Sequence, residues 1–200
     1  MKDHPDFARF LTAITRTHSK TIAFKGVAYR ACSPEYANSR DLLSGEGARK
    51  SGGRWNAPTS FPVVYLAQRI EGAIAETLGV AGRYGFDPAA RLPMTLVAID
   101  ATLERVLDLT DATVRRALGV TIAQMNGCPW RAENAAANEA LTQAIGRAAQ
   151  EAGLEGILVA SSVKRRLRNI NVFPKNVSSA GALRIRSAEK SPPPPAPGVI

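Results

Sequence analysis

Apolar residues near the start of the chain fall at Phe7, Phe10, Leu11 and Ile14. This is the i, i+3, i+4, i+7 spacing of one helix face, and it predicts an amphipathic helix over residues 5–18 that covers a sheet face. The period then changes. Residues 21–30, TIAFKGVAYR, have the composition of a strand, and from there to about Thr59 the chain is rich in Gly, Ser and Asn with few apolar positions. So long a loop in a compact domain points to function. FPVVYLA at 61–67 predicts a buried strand, after which Ile70, Ala73, Ile74, Thr77, Leu78 and Ala81 form one helical stripe.

Further along, MTLVAID (94–100) and RVLDL (105–109) read as two strands. Thr110 or Asp111 caps a helix that runs through Arg116 and ends near Gly119. Pro129 and Trp130 mark a loop, and the Ala-rich segment Glu133–Glu151 reads as one helix stopped by Gly153. GILVASS (156–162), INVF (170–173) and ALRIR (182–186) complete the strands, with the basic loop KRRLR (164–168) between the first two. From Ser191 the sequence SPPPPAP packs as neither helix nor sheet and reads as a flexible tail. The expected fold is α+β, a single domain of about six or seven strands and four or five helices without strict strand–helix alternation. Its expected divisions are an N-terminal helix at 1–20, a main domain at 21–187 and the Pro-rich tail at 188–200.

Composition narrows the class. With 200 residues, 45% hydrophobic and 22% charged, the chain has the make-up of one globular domain. No apolar run reaches the roughly 20 residues of a membrane span, so a cytoplasmic protein is expected. Cys32 and Cys128 form no CxxC, and His4 and His18 add no ligand spacing, so reduced thiols and no metal are expected. The net charge of +9 favours anionic partners, whether phosphates, nucleic acid or an acidic protein.

Three familiar motifs fail. GEGARKSGG (45–53) has Arg49 where a phosphate loop requires glycine before its lysine. There is no GxSxG elbow and no GxGxxG fingerprint, which argues against a serine hydrolase and against a Rossmann dehydrogenase.

The segment GGRWNAPTSFPVVYLAQRIEGAIAETLG (52–79) resembles the hallmark of RES-domain proteins: an RWN loop, a strand ending in tyrosine, and a helix carrying glutamate. Upstream, a strand ends in Tyr29-Arg30; downstream, EGILVASS leads through a basic loop to NINVF, so the resemblance covers about residues 24–175. It implies a fold like that of ADP-ribosyltransferases. It further implies a toxin of a bacterial type II toxin–antitoxin pair that cleaves the nicotinamide–ribose bond of NAD+ without a metal. The ADP-ribose would pass to a target protein, water or phosphate. The implied partners are a cognate Xre-type antitoxin and a host protein acceptor of ADP-ribose, with no membrane, and with nucleic acid met only through the antitoxin.

Residue by residue, the resemblance nominates Arg30, Arg54, Tyr65, Glu76 and Ser161, with Asn171 as a weaker neighbour; Ser162 remains an alternative for the serine. Arg30 and Arg54 have the planar guanidinium that grips phosphate oxygens, and Arg54 alternatively meets ribose hydroxyls. The Tyr65 ring suits stacking on nicotinamide, with its hydroxyl at the pocket rim, although a core tyrosine is the equal alternative. Ser161 suits holding the nicotinamide end or a phosphate, against the plainer reading of a turn serine. Glu76 lies well away from the centre of its helix stripe, and periodicity alone reads it as solvated. Glycosidic cleavage, however, requires a carboxylate beside the cationic transition state. Trp55 reads as packing, and the basic residues Lys164, Arg165, Arg166 and Arg168 as solvated charge. A rival class is a non-catalytic basic nucleic-acid-binding module, motivated by the pI near 10.1 and that basic loop.

Overall fold

The computed structural model describes residues 1–16, 20–83, 92–164, 166–178 and 182–190. The sheet is organised around one long strand. β3 (Thr95–Asp108) pairs antiparallel with β1 (Ile22–Cys32) along its whole length, from Cys32 opposite Thr95 to Ile22 opposite Val106. On its other side β3 pairs parallel with β4 (Gly156–Ala160), which leads antiparallel to β5 (Arg168–Val172) and then to β2 (Val64–Ala67). β2 meets β1 through one register pair, Tyr29 opposite Ala67, closing the sheet into a barrel-like ring. β6 (Ala182–Lys190) adds to β3 outside that ring. The seam between β1 and β2 is the thinnest part of the closure, and a cleft opens beside it.

Strand alternation sends side chains to two cores. Ala28, Leu66, Val97, Ile99, Leu158, Ile170 and Val172 fill one face, plugged by Leu42 of α2 (Ser39–Ser44). On the other face Ile157, Val159 and Phe173 pack with Ala144, Ile145 and Ala148 of α8 (Leu141–Glu151) and with Phe10 and Ile14 of α1 (Phe7–Arg16). α1 has the predicted apolar face, but it packs chiefly on α8 and α5 (Ala112–Leu118) instead of lying directly on the sheet.

Several boundaries differ from expectation for physical reasons. The two strands expected at 94–100 and 105–109 are the single β3: Thr102 and Glu104 point outward while Ala101 and Leu103 stay buried, and an irregularity between Leu103 and Val106 shifts the register without ending the strand. The helix expected at Glu133–Glu151 is two, α7 (Trp130–Ala135) and α8, and the loop expected at Trp130 is the first turn of α7. Between them Ala137 has φ 59°, while the Asn134 side chain bonds the Asn138 carbonyl at 3.1 Å and Gln143 at 2.7 Å. Tertiary hydrogen bonding overrides alanine propensity here. The long segment up to Thr59 contains α2, capped by Asn38, and α3 (Glu46–Ser51). Asp111 is the cap of α5, accepting from Thr113 and Val114 and leaving Gly119 left-handed at the far end. A short helix not predicted, α6 (Ile122–Gly127), carries a Thr121–Gln124 capping box. β6 extends to Lys190, whereas the Pro-rich tail from Ser191, His18 and Arg165 lie outside the described residues. No helix among the described residues is long and apolar enough to cross a membrane.

Candidate functional site

α4 (Ile70–Arg83) crosses the β1–β2 seam and brings Glu76 to a cleft of about 510 Å³, walled by β1, β2, β5, the 52–54 loop and α7. Arg30, Arg54, Tyr65, Glu76 and Asn171 all line this cleft, and so does Ser162. Residues nominated across more than 140 positions of sequence therefore converge.

Glu76 is held firmly. The Ser161 hydroxyl donates to its Oε1 at 2.7 Å and the Asn169 amide donates to the same oxygen at 2.9 Å. Oε2 accepts no hydrogen bond from the described residues. One carboxylate oxygen is thus fixed and the other keeps its lone pairs for a ligand. Ser161 itself is buried, and its Oγ accepts from the backbone of Val163 and Lys164, so the turn after β4 orients the hydroxyl. The serine engaging the glutamate is Ser161, while Ser162 faces the cleft.

Arg30 comes from β1 and donates through Nη1 to the Leu42 carbonyl at 2.7 Å. Burial pulls its pKa below the ordinary value, partly offset by Cys32 and Asp41, but a guanidinium remains charged at any physiological pH. Arg54 has a second task that the sequence did not suggest. Its Nη1 donates to the carbonyls of Met125, Asn126 and Cys128 at 2.9, 3.2 and 3.3 Å, tying the loop to the end of α6. It is a wall of the cleft and a structural clamp at once.

Tyr65 differs from expectation in its hydroxyl. That group is turned into the RWN loop, donating to Asn56 Oδ1 at 2.8 Å and accepting from the Trp55 N–H at 3.0 Å. Burial pushes its pKa well up, against the loop contacts that lower it, so it stays a neutral donor. The ring remains against the cleft. Trp55 is buried in the core, as its reading as packing requires.

Four groups escaped sequence reasoning. Asn56 is fully buried and donates to the Ala48 carbonyl at 2.7 Å. Gln143 Nε2 reaches from α8 to the carbonyls of Gly53 and Asn56 at 2.9 and 3.2 Å. Arg131 lies 4.1 Å above the Trp130 ring at the cleft's mouth. Asn169 holds Glu76, and a signal for it existed: asparagines at alternate positions of the apolar strand NINV, a residue type depleted from strands.

Asn171 is the unusual member. It is 1% exposed, and neither its Nδ2 nor its Oδ1 has a hydrogen-bond partner among the described residues. Asn169 Oδ1 is likewise buried and unpaired. An unmet buried polar group costs roughly 1–3 kcal/mol, so the cleft holds three such atoms at a sizeable expense in stability.

A second hollow, about 640 Å³, lies beyond Cys128, against Lys2, His4 and Gln124. Its three carboxylates are engaged, Glu139 with Arg147 at 2.7 and 2.8 Å, Asp3 with Arg147 at 3.3 Å and Glu133 with the Asn138 amide at 3.3 Å. Among the described residues no cluster of His, Cys, Asp and Glu side chains is arranged to hold a metal ion.

The model of the RES domain matches residues 27–193. The chain belongs to the RES-domain family. Among RES-domain relatives, the NAD(+) phosphorylase MbcT of Mycobacterium tuberculosis and that of Mycobacterium bovis are each 37% identical over 122 residues, 60% of this chain. The match spans 61% of the length of those curated relatives. A chain of the crystal structure of the M. tuberculosis MbcT–MbcA toxin–antitoxin complex superposes with a TM-score of 0.75 at 29% identity, covering 92% of this chain and 93% of that one. The mixed α+β fold with its barrel-like sheet is therefore shared with that chain over nearly the whole molecule.

Proposed function

We propose that this chain is the toxin of a toxin–antitoxin pair and cleaves NAD+ at the nicotinamide–ribose bond, passing ADP-ribose to inorganic phosphate. The observation that carries this reading is the Glu76 carboxylate, fixed through Oε1 by Ser161 and Asn169 with Oε2 left for a ligand. The MbcT relatives are NAD(+) phosphorylases, which supports phosphate as acceptor over water or a protein.

In the proposed reaction the C1′–N bond breaks and its electron pair goes to the ring nitrogen, so the pyridinium leaves as neutral nicotinamide and needs no acid. Positive charge builds on C1′ and O4′ of the ribose. Glu76 Oε2 lies against that charge or against the ribose hydroxyls, and its fixed position spares reorganisation as the charge develops. A phosphate oxygen then bonds to C1′, giving ADP-ribose 1″-phosphate. Arg30 and Arg54 hold the pyrophosphate, and the Tyr65 ring packs on the pyridinium. The likeness of the barrel-like sheet to ADP-ribosyltransferases is part of this reading.

The superposing MbcT chain comes from a complex with the antitoxin MbcA, which supports an antitoxin as partner here, and we take an Xre-type protein covering the cleft as its form. The test uses the full chain freed of antitoxin, given NAD+ with and without phosphate, with released nicotinamide and the adenylate product followed by chromatography and mass spectrometry. Phosphate-dependent release is expected, and Glu76→Gln should lower it about 10²–10³-fold with an unchanged melting temperature. No release by the wild type, together with salt-sensitive binding of DNA or RNA, would replace this reading with that of a basic nucleic-acid-binding module.

A further inference from the structure

We propose that Asn171 reads the carboxamide of the nicotinamide ring and makes the site select the amide form of the dinucleotide over the nicotinic-acid form. The proposal rests on the NAD+ reading above and deepens it.

Asn171 is almost wholly buried, lines the cleft, and has both amide atoms unpaired. Buried side-chain amides in folded proteins are normally satisfied. Among the described residues four buried side-chain atoms lack partners, and three of them belong to Asn169 and Asn171 in this cleft. Such a cluster in one place points to a ligand that supplies the missing partners.

The chemistry of that partner follows from the atoms left over. Asn171 offers one donor group and one acceptor side by side. A primary carboxamide presents the same pair and closes two hydrogen bonds with it. A carboxylate offers acceptors only: it accepts from Nδ2 but sets its second oxygen against Oδ1, leaving a buried repulsion. Sites built around such pairing discriminate strongly, because the wrong ligand strands a buried polar group.

Position agrees. Asn169 and Asn171 stand two residues apart on β5, so their side chains share a face. That step along the strand is about 6.6 Å, comparable with the reach from the anomeric carbon of NAD+ to its carboxamide. With Asn169 bonded to Glu76 at the scissile bond, Asn171 falls where the far side of the pyridine ring would end. Its register partner on β2 is Tyr65, whose ring lines the same wall and gives the pyridine an apolar surface.

The experiment compares kcat/KM of the full chain for NAD+ and for nicotinic acid adenine dinucleotide, in wild type, Asn171→Leu and Asn171→Asp, with melting curves for each. The wild type should favour NAD+ by about 100-fold or more. Asn171→Leu should lose most of its rate with NAD+ and bring the two substrates within a fewfold of each other. Asn171→Asp keeps the shape and loses the donor, so its kcat/KM for NAD+ should fall at least tenfold while it still rejects the acid. If Asn171→Leu keeps the wild-type preference, or Asn171→Asp loses less than threefold with NAD+, Asn171 does not read the carboxamide, and NAD+ cleavage stands without it. Equal use of both dinucleotides by the wild type overturns the proposal in the same way. Release from neither overturns both readings.

Discussion

The RWN loop and β5 stand on either side of one cleft and treat their polar groups in opposite ways. In the loop, Asn56 is bonded through both ends of its amide, Tyr65 closes on Asn56 and Trp55, Arg54 clamps the end of α6, and Gln143 pins two loop carbonyls from beneath. On β5, the amide of Asn171 is buried with no partner among the described residues. A saturated polar network fixes a shape, while an unsaturated one keeps free energy available for whatever completes it. The same residue type, asparagine, serves both ends: position 56 is scaffold and position 171 is the proposed receptor.

Substitutions sharpen this contrast. The largest effect on stability is expected where the loop rests on α8. A Cβ at Gly146 would run into the backbone carbonyl of Trp55, so Gly146→Ala should cost about 2–3 kcal/mol, read as a lower midpoint in denaturant. Tyr65→Phe should cost about 1–2 kcal/mol, because it strands the Trp55 N–H and Asn56 Oδ1; the same unfolding curves measure it. Asn171→Leu should go the other way. Removing an unpaired buried amide in favour of an apolar side chain of similar shape should leave stability unchanged or raise it by about 1 kcal/mol, even as catalysis falls. A destabilised Asn171→Leu would show that β5 is scaffold too, and the contrast would be lost.

How much of this was legible in the sequence depended on whether a residue's role left a periodic trace. The strand around Tyr65 was readable as a continuous apolar run, and α4 from its apolar spacing, although of that stripe Ala73 is buried, Ile74, Thr77 and Leu78 are half-buried and Ile70 is exposed. Glu76 was not, because the cleft lies off the centre of the apolar stripe and a residue facing a ligand site has the same polarity as one facing water; only the family likeness singled it out. The break between α7 and α8 was hidden in a run of good helix formers, since it depends on Asn134 finding Gln143 and Asn138 in space. The continuity of β3 was masked by polar residues on its outward positions. Residue type alone puts the Tyr65 hydroxyl at the pocket rim and the Arg54 guanidinium on a ligand, yet both groups hold the loop, a role that three-dimensional proximity alone reveals.

The glutamate and the two groups that hold it are far apart along the chain: Ser161 lies 85 residues after Glu76, and Asn169 lies 93 after it. During synthesis the helix bearing the carboxylate therefore leaves the ribosome long before its holders exist. A nascent or prematurely ended chain that stops short of β5 has the acidic group but no fixed orientation for it and no β5 wall to the cleft. The proposed cleavage therefore becomes possible only once β5 has been made, so it is a property of the finished domain and of no shorter nascent chain.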